Sequence, residues 1–323
     1  VRRFLAGSEV TFVRRAEQVP PGAALAVWGY RPIPGRLADG VRVLRLEDGF
    51  LRSVGLGADL IRPASWVVDG RGMYYDARRP SDLEVILAER VFPPALLERA
   101  RRLREAIVAG GFTKYNLGGG AWRRPAGARH VILVPGQVES DASLAYGAPA
   151  LRTNIALLRA VRAANPGAYV LYKPHPDVVA GLRAPGKGEE AASELADELV
   201  GHSSMAALLP LVDEVQVLTS LAGFEALLRG IPVTCHGQPF YCGWGLTRDL
   251  VPLDRRSRRL SLDELVAGTL ILYPRYASLE TGRPTTPEQV LAELRARRER
   301  MGAGVPWWRT AFRVLLRRVV GVR

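Results

Sequence analysis

The sequence predicts an α/β protein made of two Rossmann-like units, and three features carry that expectation. Short apolar runs alternate with stretches of helical periodicity, the pattern of strands joined by helical crossovers. A glycine-rich break near residue 120 divides two such series. The polar clusters fall just past the ends of apolar runs, where open α/β sheets gather their ligands.

The runs Ala23–Tyr30, Val41–Leu46 and Ser65–Asp69 read as strands of the first unit. Ser81 is placed to cap a helix through Asp82–Arg90, with Glu84 completing a capping box. A second helix covers Pro94–Ala109 and stops at Gly110-Gly111. The stretch Asn116–Gly127 is rich in glycine, contains Pro125 and lacks apolar periodicity, so it reads as a linker. A second series begins with the strand His130–Gly136. A helix over Asn154–Asn165 leads to the strand at Tyr169–Tyr172, and a helix over Ser204–Val212 leads to the strand from Glu214. The helix from Leu221 then feeds the strand Ile231–Gly237. This alternation predicts a parallel, doubly wound sheet. Two such units across a linker suggest a GT-B architecture, with the domains facing each other over a cleft. The expected boundaries are 1–127 (first unit with linker), 128–285 (second unit) and 286–323 (a C-terminal helix, Pro287–Arg300, and a basic tail). No GxGxxG follows the first strand of either unit, which weakens a dinucleotide-dehydrogenase reading.

A hydrophobic fraction of 48% and a charged fraction of 24% are those of a globular protein of about two domains. The net charge of +13, from 45 Lys+Arg against 32 Asp+Glu, is less ordinary. Most of the cations are Arg, whose planar fork suits phosphates and carboxylates, although a GC-rich genome also raises Arg and Ala. Cys235 and Cys242 fit no common zinc spacing and no disulfide framework, which points to a reducing, cytosolic compartment. The four histidines are dispersed, and metal-independent chemistry is expected. No apolar run approaches the roughly 20 residues that span a bilayer.

Four clusters combine residue types that a fold alone does not need: Glu47-Asp48-Gly49 with Phe50, Arg52 and Ser53; Gly136–Ser143; Tyr172–Pro176; and Thr219–Val233. Asp141 closes a Gln137-x-x-x-Asp pattern beyond a strand. Its carboxylate is suited either to attack an anomeric carbon or to cap the next helix. Glu47 is the candidate acid/base, the alternative being an ion pair with Arg52; Asp48, in a common turn pair, reads as structural. His175 lies between two prolines that pin its backbone. Thr219 and Ser220 offer hydroxyls and backbone N–H groups at a helix start, where anions sit well, although Ser is also an ordinary cap. Glu225, among Phe224, Ala226, Leu227 and Leu228, is a carboxylate that needs a partner.

Together with Lys114–Gly118 (KYNLG) and Gly237–Thr247 (GQPFYCGWGLT), these clusters in this order resemble the bacterial capsule β-Kdo transferases of the KpsC type. The resemblance covers about Val27 to Tyr276 and looks closer to the second of the two catalytic modules such proteins usually carry. One module is present and the chain begins with Val, so a piece of a longer protein is expected. The resemblance implies a GT-B fold and transfer of Kdo from CMP-β-Kdo, with retention, to a phosphatidylglycerol-type glycolipid already bearing Kdo. It implies that Asp141 is the nucleophile, that His175 and Lys173 meet the departing nucleotide phosphate, and that Glu225 accepts from the ribose. Gln137, Thr219 and Ser220 join the donor site on the same ground. Kdo has a carboxylate beside its anomeric carbon, and Arg52, then Lys114, are the candidate cations for it. Tyr74, Tyr75 and Trp244 are either stacking surfaces or core.

The tail from Pro306 sets Trp307, Trp308, Phe312, Leu315 and Leu316 against Arg309, Arg313, Arg317 and Arg318 at near-helical spacing. That is the pattern of an interfacial membrane helix, and it fits the peripheral place at the inner face of the inner membrane that the resemblance implies. The run Arg255–Arg259 reads as a solvated loop. The rival functions are a GT-B enzyme with another donor (sialyltransferase-like or UDP-sugar dependent), a nucleic-acid-binding protein, and a silent membrane-docking module. Against nucleic acid, the motifs gather at strand exits rather than along a basic, aromatic stripe.

Overall fold

A computed structural model describes residues 1–53, 62–113, 120 and 122–301. Its strands form two sheets. The first sheet holds β1 (Ala24–Trp28), β2 (Arg42–Asp48), β3 (Ser65–Asp69), β10 (Pro274–Ala277) and β11 (Pro284–Thr285), paired in that order. Only β1 and β2 are parallel; the pairs β2–β3, β3–β10 and β10–β11 are antiparallel. The first unit is therefore a mixed sheet. The segment that holds β10 and β11, grouped by sequence with the second unit, is hydrogen-bonded into the first.

The second sheet is parallel throughout, in the order β6 (Glu198–Leu199), β5 (Tyr169–Lys173), β4 (Val131–Pro135), β7 (Glu214–Val217), β8 (Val233–Cys235), β9 (Arg248–Asp249). Every residue of β4 and of β8 is buried, as a sheet covered on both faces requires. From β4 the chain winds outward through β5 and β6, then returns to β7 and winds the other way. The strand order thus reverses between β4 and β7. In open α/β sheets the crevice at such a reversal, beyond the carboxyl ends of the strands, is the ligand site.

The helices follow from their signals. In α1 (Asp82–Glu89), Ser81 accepts the Glu84 N–H, as its position predicts. The Glu84 carboxylate does not return to close a capping box; it pairs with Arg255 (2.5 Å) and Arg256 (2.9 Å). The run Arg255–Arg259 is accordingly solvated only in part, with Arg255, Ser257 and Arg259 exposed. Arg256 is buried and Arg258 bridges to Glu264 at 2.8 Å, because this basic segment crosses the carboxylates and helix-end carbonyls around α1. Helix α2 (Pro94–Ala109) ends where Gly110 and Gly111 predict. Helix α10 (Pro287–Met301) packs on α2 through a two-bond Arg99–Glu288 pair at 2.7 and 2.9 Å. One contiguous core runs from Phe50, Val67 and Leu87 in the first unit to Val131, Val215 and Phe224 in the second. The basic tail lies outside the described residues. Among those described, no helix is long and apolar enough to cross a membrane.

Candidate active site

A cavity of about 520 Å³ opens between the two sheets. The first unit contributes Glu47, Phe50, Tyr74 and Tyr75; the second contributes Gln137, Asp141, Lys173, His175, Thr219, Ser220 and Glu225. Three strand exits of the second sheet, those of β4, β5 and β7, thus meet the exit of β2. Eight of the ten residues singled out from the sequence line this one cavity. Arg52 does not line it, and Lys114 lies outside the described residues.

Local structure at the strand reversal is held by two amides. The Gln137 side chain accepts the Thr219 N–H at 2.9 Å and donates to the Thr219 hydroxyl at 3.1 Å, tying the β4 exit to the β7 exit. Its amide is therefore occupied as a brace. The buried Asn154, first residue of α4 (Asn154–Ala164), grips the backbone of Gln137 with two 2.9 Å hydrogen bonds. Glu139 accepts the Asn154 N–H at 2.8 Å. These closed pairs set the backbone from which Asp141 projects. Asn154 carried no sequence signal beyond that of a helix start.

Asp141 occupies the N-cap position of α3 (Ala142–Gly147), yet its side chain makes no capping hydrogen bond to that helix. Thr153 and Ser220 do cap theirs, by accepting the Ala156 and Ala222 N–H groups at 3.2 Å. A carboxylate is as good a cap as these hydroxyls, yet Asp141 lines the cavity without capping α3. Across the cavity Glu47 is the penultimate residue of β2. It is Asp48 that pairs with Arg52, at 2.5 Å, which leaves that guanidinium committed to a scaffold contact rather than to a ligand. The Tyr75 hydroxyl is pushed up by burial first and by the Glu47 charge second, which places the two groups in one field.

His175 caps the short helix α5 (Pro176–Val179), its Nδ1 accepting the Asp177 N–H at 3.2 Å. A ring nitrogen that accepts holds no proton, so the neutral imidazole carries its hydrogen on Nε2 as a donor. Lys173, just before it, is buried. Its ammonium donates to the carbonyls of Ser203 (2.5 Å) and Val200 (3.4 Å), with no carboxylate in contact among the described residues. Burial lowers its pKa to about 8. A buried cation held only by carbonyls, beside an imidazole donor and the capped start of α8 (Leu221–Leu227), is a site for an anion. Glu225, buried on α8, faces the same space.

The aromatic wall comes from Phe50, Tyr74 and Phe240, with ring centroids 4.9 to 5.8 Å apart. Trp244 is core instead: it is fully buried and donates to the Phe240 carbonyl at 2.9 Å. Among the described residues no three His, Cys, Asp or Glu side chains cluster to hold a metal ion. Several lining residues carried no motif by which the sequence could mark them, among them His202, Ser203 and Arg183.

Comparison with known proteins agrees with this geometry. The family described as "Capsule polysaccharide biosynthesis protein" matches residues 24–121 and 122–276. The capsule polysaccharide modification protein LipA of Neisseria meningitidis serogroup B is 48% identical over 248 residues, 77% of this chain and 35% of that protein. The chain therefore spans about a third of that relative's length. Among solved structures, the Thermosulfurimonas dismutans KpsC β-Kdo 2,7 transferase is similar with a TM-score of 0.72 and 46% identity over 85% of each chain. The KpsC β-Kdo 2,4 transferase of the same organism gives a TM-score of 0.79 and 35% identity over 91% of this chain and 92% of that one. Both the sequence match and the doubly wound half with its cleft place this chain in the capsule polysaccharide biosynthesis protein family, among proteins of the KpsC type.

Proposed function

We propose that this chain is a retaining β-Kdo transferase module, moving Kdo from CMP-β-Kdo to a glycolipid that already bears Kdo. The observation that carries the reading is the pairing, in one cavity, of an anion site with carboxylates on opposite walls. Lys173 and the Nε2 proton of His175 offer charge and a hydrogen bond to the phosphate of CMP, with the α8 start and Ser220 beside them. Glu225 is positioned to accept from ribose hydroxyls. In the first step an Asp141 oxygen bonds to the anomeric carbon. The bond from that carbon to the phosphate oxygen breaks, and its electron pair leaves with CMP. In the second step the acceptor hydroxyl attacks the same carbon, the bond to Asp141 breaks, and Glu47 takes the hydroxyl proton. Two inversions give net retention. The resemblance of the chain to two Kdo transferase structures supports the donor sugar. The glycolipid acceptor follows from the same resemblance, and a basic, apolar tail at residues 306–323 supports work at an anionic membrane surface.

The test is intact-protein mass spectrometry after incubation with freshly generated CMP-Kdo, wild type beside Asp141→Asn. The expected result is a Kdo-sized adduct on the wild type alone, with CMP affinity in the variant within about threefold of wild type. A variant that still transfers Kdo at the wild-type rate would rule out Asp141 as nucleophile.

A further inference from the structure

We infer that Arg183 is the residue that selects an acidic sugar, by pairing its guanidinium with a sugar carboxylate in the cavity. The inference rests on the Kdo transferase reading above, which requires a cation for a carboxylate next to the reacting carbon. Arg52 is committed to Asp48. Lys173 lies at the base of the anion site, where the phosphate of the nucleotide is expected. Arg183 is the one arginine lining the cavity among the described residues. No ion pair or side-chain hydrogen bond of its guanidinium occurs among those residues, whereas Arg52, Arg78 and Arg256 each pair with a carboxylate. An arginine left unpaired in the lining of a cavity that also holds Glu47, Asp141 and Glu225 is a donor fork suited to a planar anion.

Its backbone is held where such a contact is needed. Beyond α5 the chain turns at Gly181 (φ 65°), and the Leu182 and Arg183 N–H groups both donate to the Asp177 carbonyl, at 2.8 and 3.1 Å. Arg183 is thereby folded back toward the helix that His175 caps. Four residues on, the Lys187 N–H donates to Glu139 at 2.9 Å, which fastens this segment to the loop that carries Asp141. Arg183 therefore sits between the loop that carries Asp141 and the helix that His175 caps, and it lines the cavity. Arg183 is exposed, so water screens its charge. A sugar filling the space displaces that water and strengthens the pair. A site built in this way discriminates against a neutral sugar more strongly than an apolar pocket does.

The carboxylate has two possible sources, the donor Kdo and the terminal Kdo of the acceptor, and steady-state kinetics of Arg183→Gln and Arg183→Lys separates them. The expected result for Arg183→Gln is a roughly tenfold to hundredfold rise in one KM. If the donor KM rises, the donor carboxylate is the partner; if the acceptor KM rises, it is the acceptor's. Arg183→Lys should recover part of the loss, and the Kd for CMP alone should stay within about twofold in both variants. A comparable fall in CMP affinity would assign Arg183 to the phosphate and overturn the inference. An unaffected Arg183→Gln beside an active wild type would overturn it alone, with the Kdo reading intact. A wild type that binds CMP poorly and transfers no Kdo would instead overturn the reading on which it rests.

Discussion

Burying the Lys173 ammonium carries a cost to the fold. Its ordinary pKa of 10.5 falls to about 8 because burial disfavours the ammonium. Between those two values the unfolded chain binds a proton that the folded chain does not, so folding becomes more favourable as pH rises through this window. Below about 8 both states are charged, and the folded state bears the full desolvation cost, roughly 3 kcal/mol. Denaturant unfolding of wild type and Lys173→Met at a series of pH values tests this. Relative to the variant, wild type should gain roughly 3 kcal/mol from pH 8 to 10.5, all other titrations being shared. A constant difference across that range would mean that Lys173 titrates normally. An anion bound beside it favours the ammonium, so nucleotide binding near pH 8 should be accompanied by proton uptake. His175, Ser220 and Asp141 belong to the same scale: each was legible as a polar residue at a strand exit. Which of them also served as a helix cap was not, since a cap and a ligand contact use the same residue types.

At the level of elements, the attachment of α1 to the cavity wall shows what holds the site together. Glu84 on α1 meets Arg256, whose side chain is 3% exposed, and Arg255, whose side chain is 30% exposed. Arg256 also donates to the carbonyls of Pro239 (2.6 Å) and Cys242 (3.0 Å), the segment that presents Phe240 to the cavity. Replacing Glu84 by Gln leaves a buried guanidinium without its counter-charge, a loss of about 3–5 kcal/mol. Replacing Arg255 by Ala removes a partly exposed member of the trio, a loss of about 1 kcal/mol or less. Urea denaturation of the two variants should give that order, and equal losses would show the pair to be screened as a surface contact is. This linkage was hidden in the sequence, where Arg255–Arg259 has the composition of an exposed loop. A cluster of arginines is solvated unless a carboxylate distant in sequence lies across it, and residue 84 is such a partner only in three dimensions. Helices were the most legible elements, because Ser81, Pro94 and Gly110-Gly111 mark their ends by local chemistry.

Across the whole molecule, the first sheet depends on residues near the C-terminus. Strand β3 hydrogen-bonds to β2 on one side and to β10 on the other, through Pro274–Val67, Arg275–Trp66 and Tyr276–Ser65. Without β10, the buried β3 would present an unpaired edge whose backbone groups have no partner. Residues 1–127 expressed alone should therefore lack a cooperative unfolding transition by circular dichroism in urea. A sigmoidal transition would show that β1–β3 and α1–α2 form an independent unit. The same return of the chain lets α10 clamp α2 through the Arg99–Glu288 pair.

What the sequence by itself determined is the second unit and the chemistry at its strand exits. Its strands are nearly continuous apolar runs with polar residues immediately after them, and parallel sheets place such exits together whatever the details of packing. The tertiary structure alone decided the direction of pairing in the first sheet, the capture of β10 and β11 by it, and which cations face the cavity. Periodicity records burial along a segment but not the partner of a strand. An arginine's role is set by whether a carboxylate reaches it first, so Arg52 turned to Asp48 while Arg183, without a motif to mark it, was left facing the cavity.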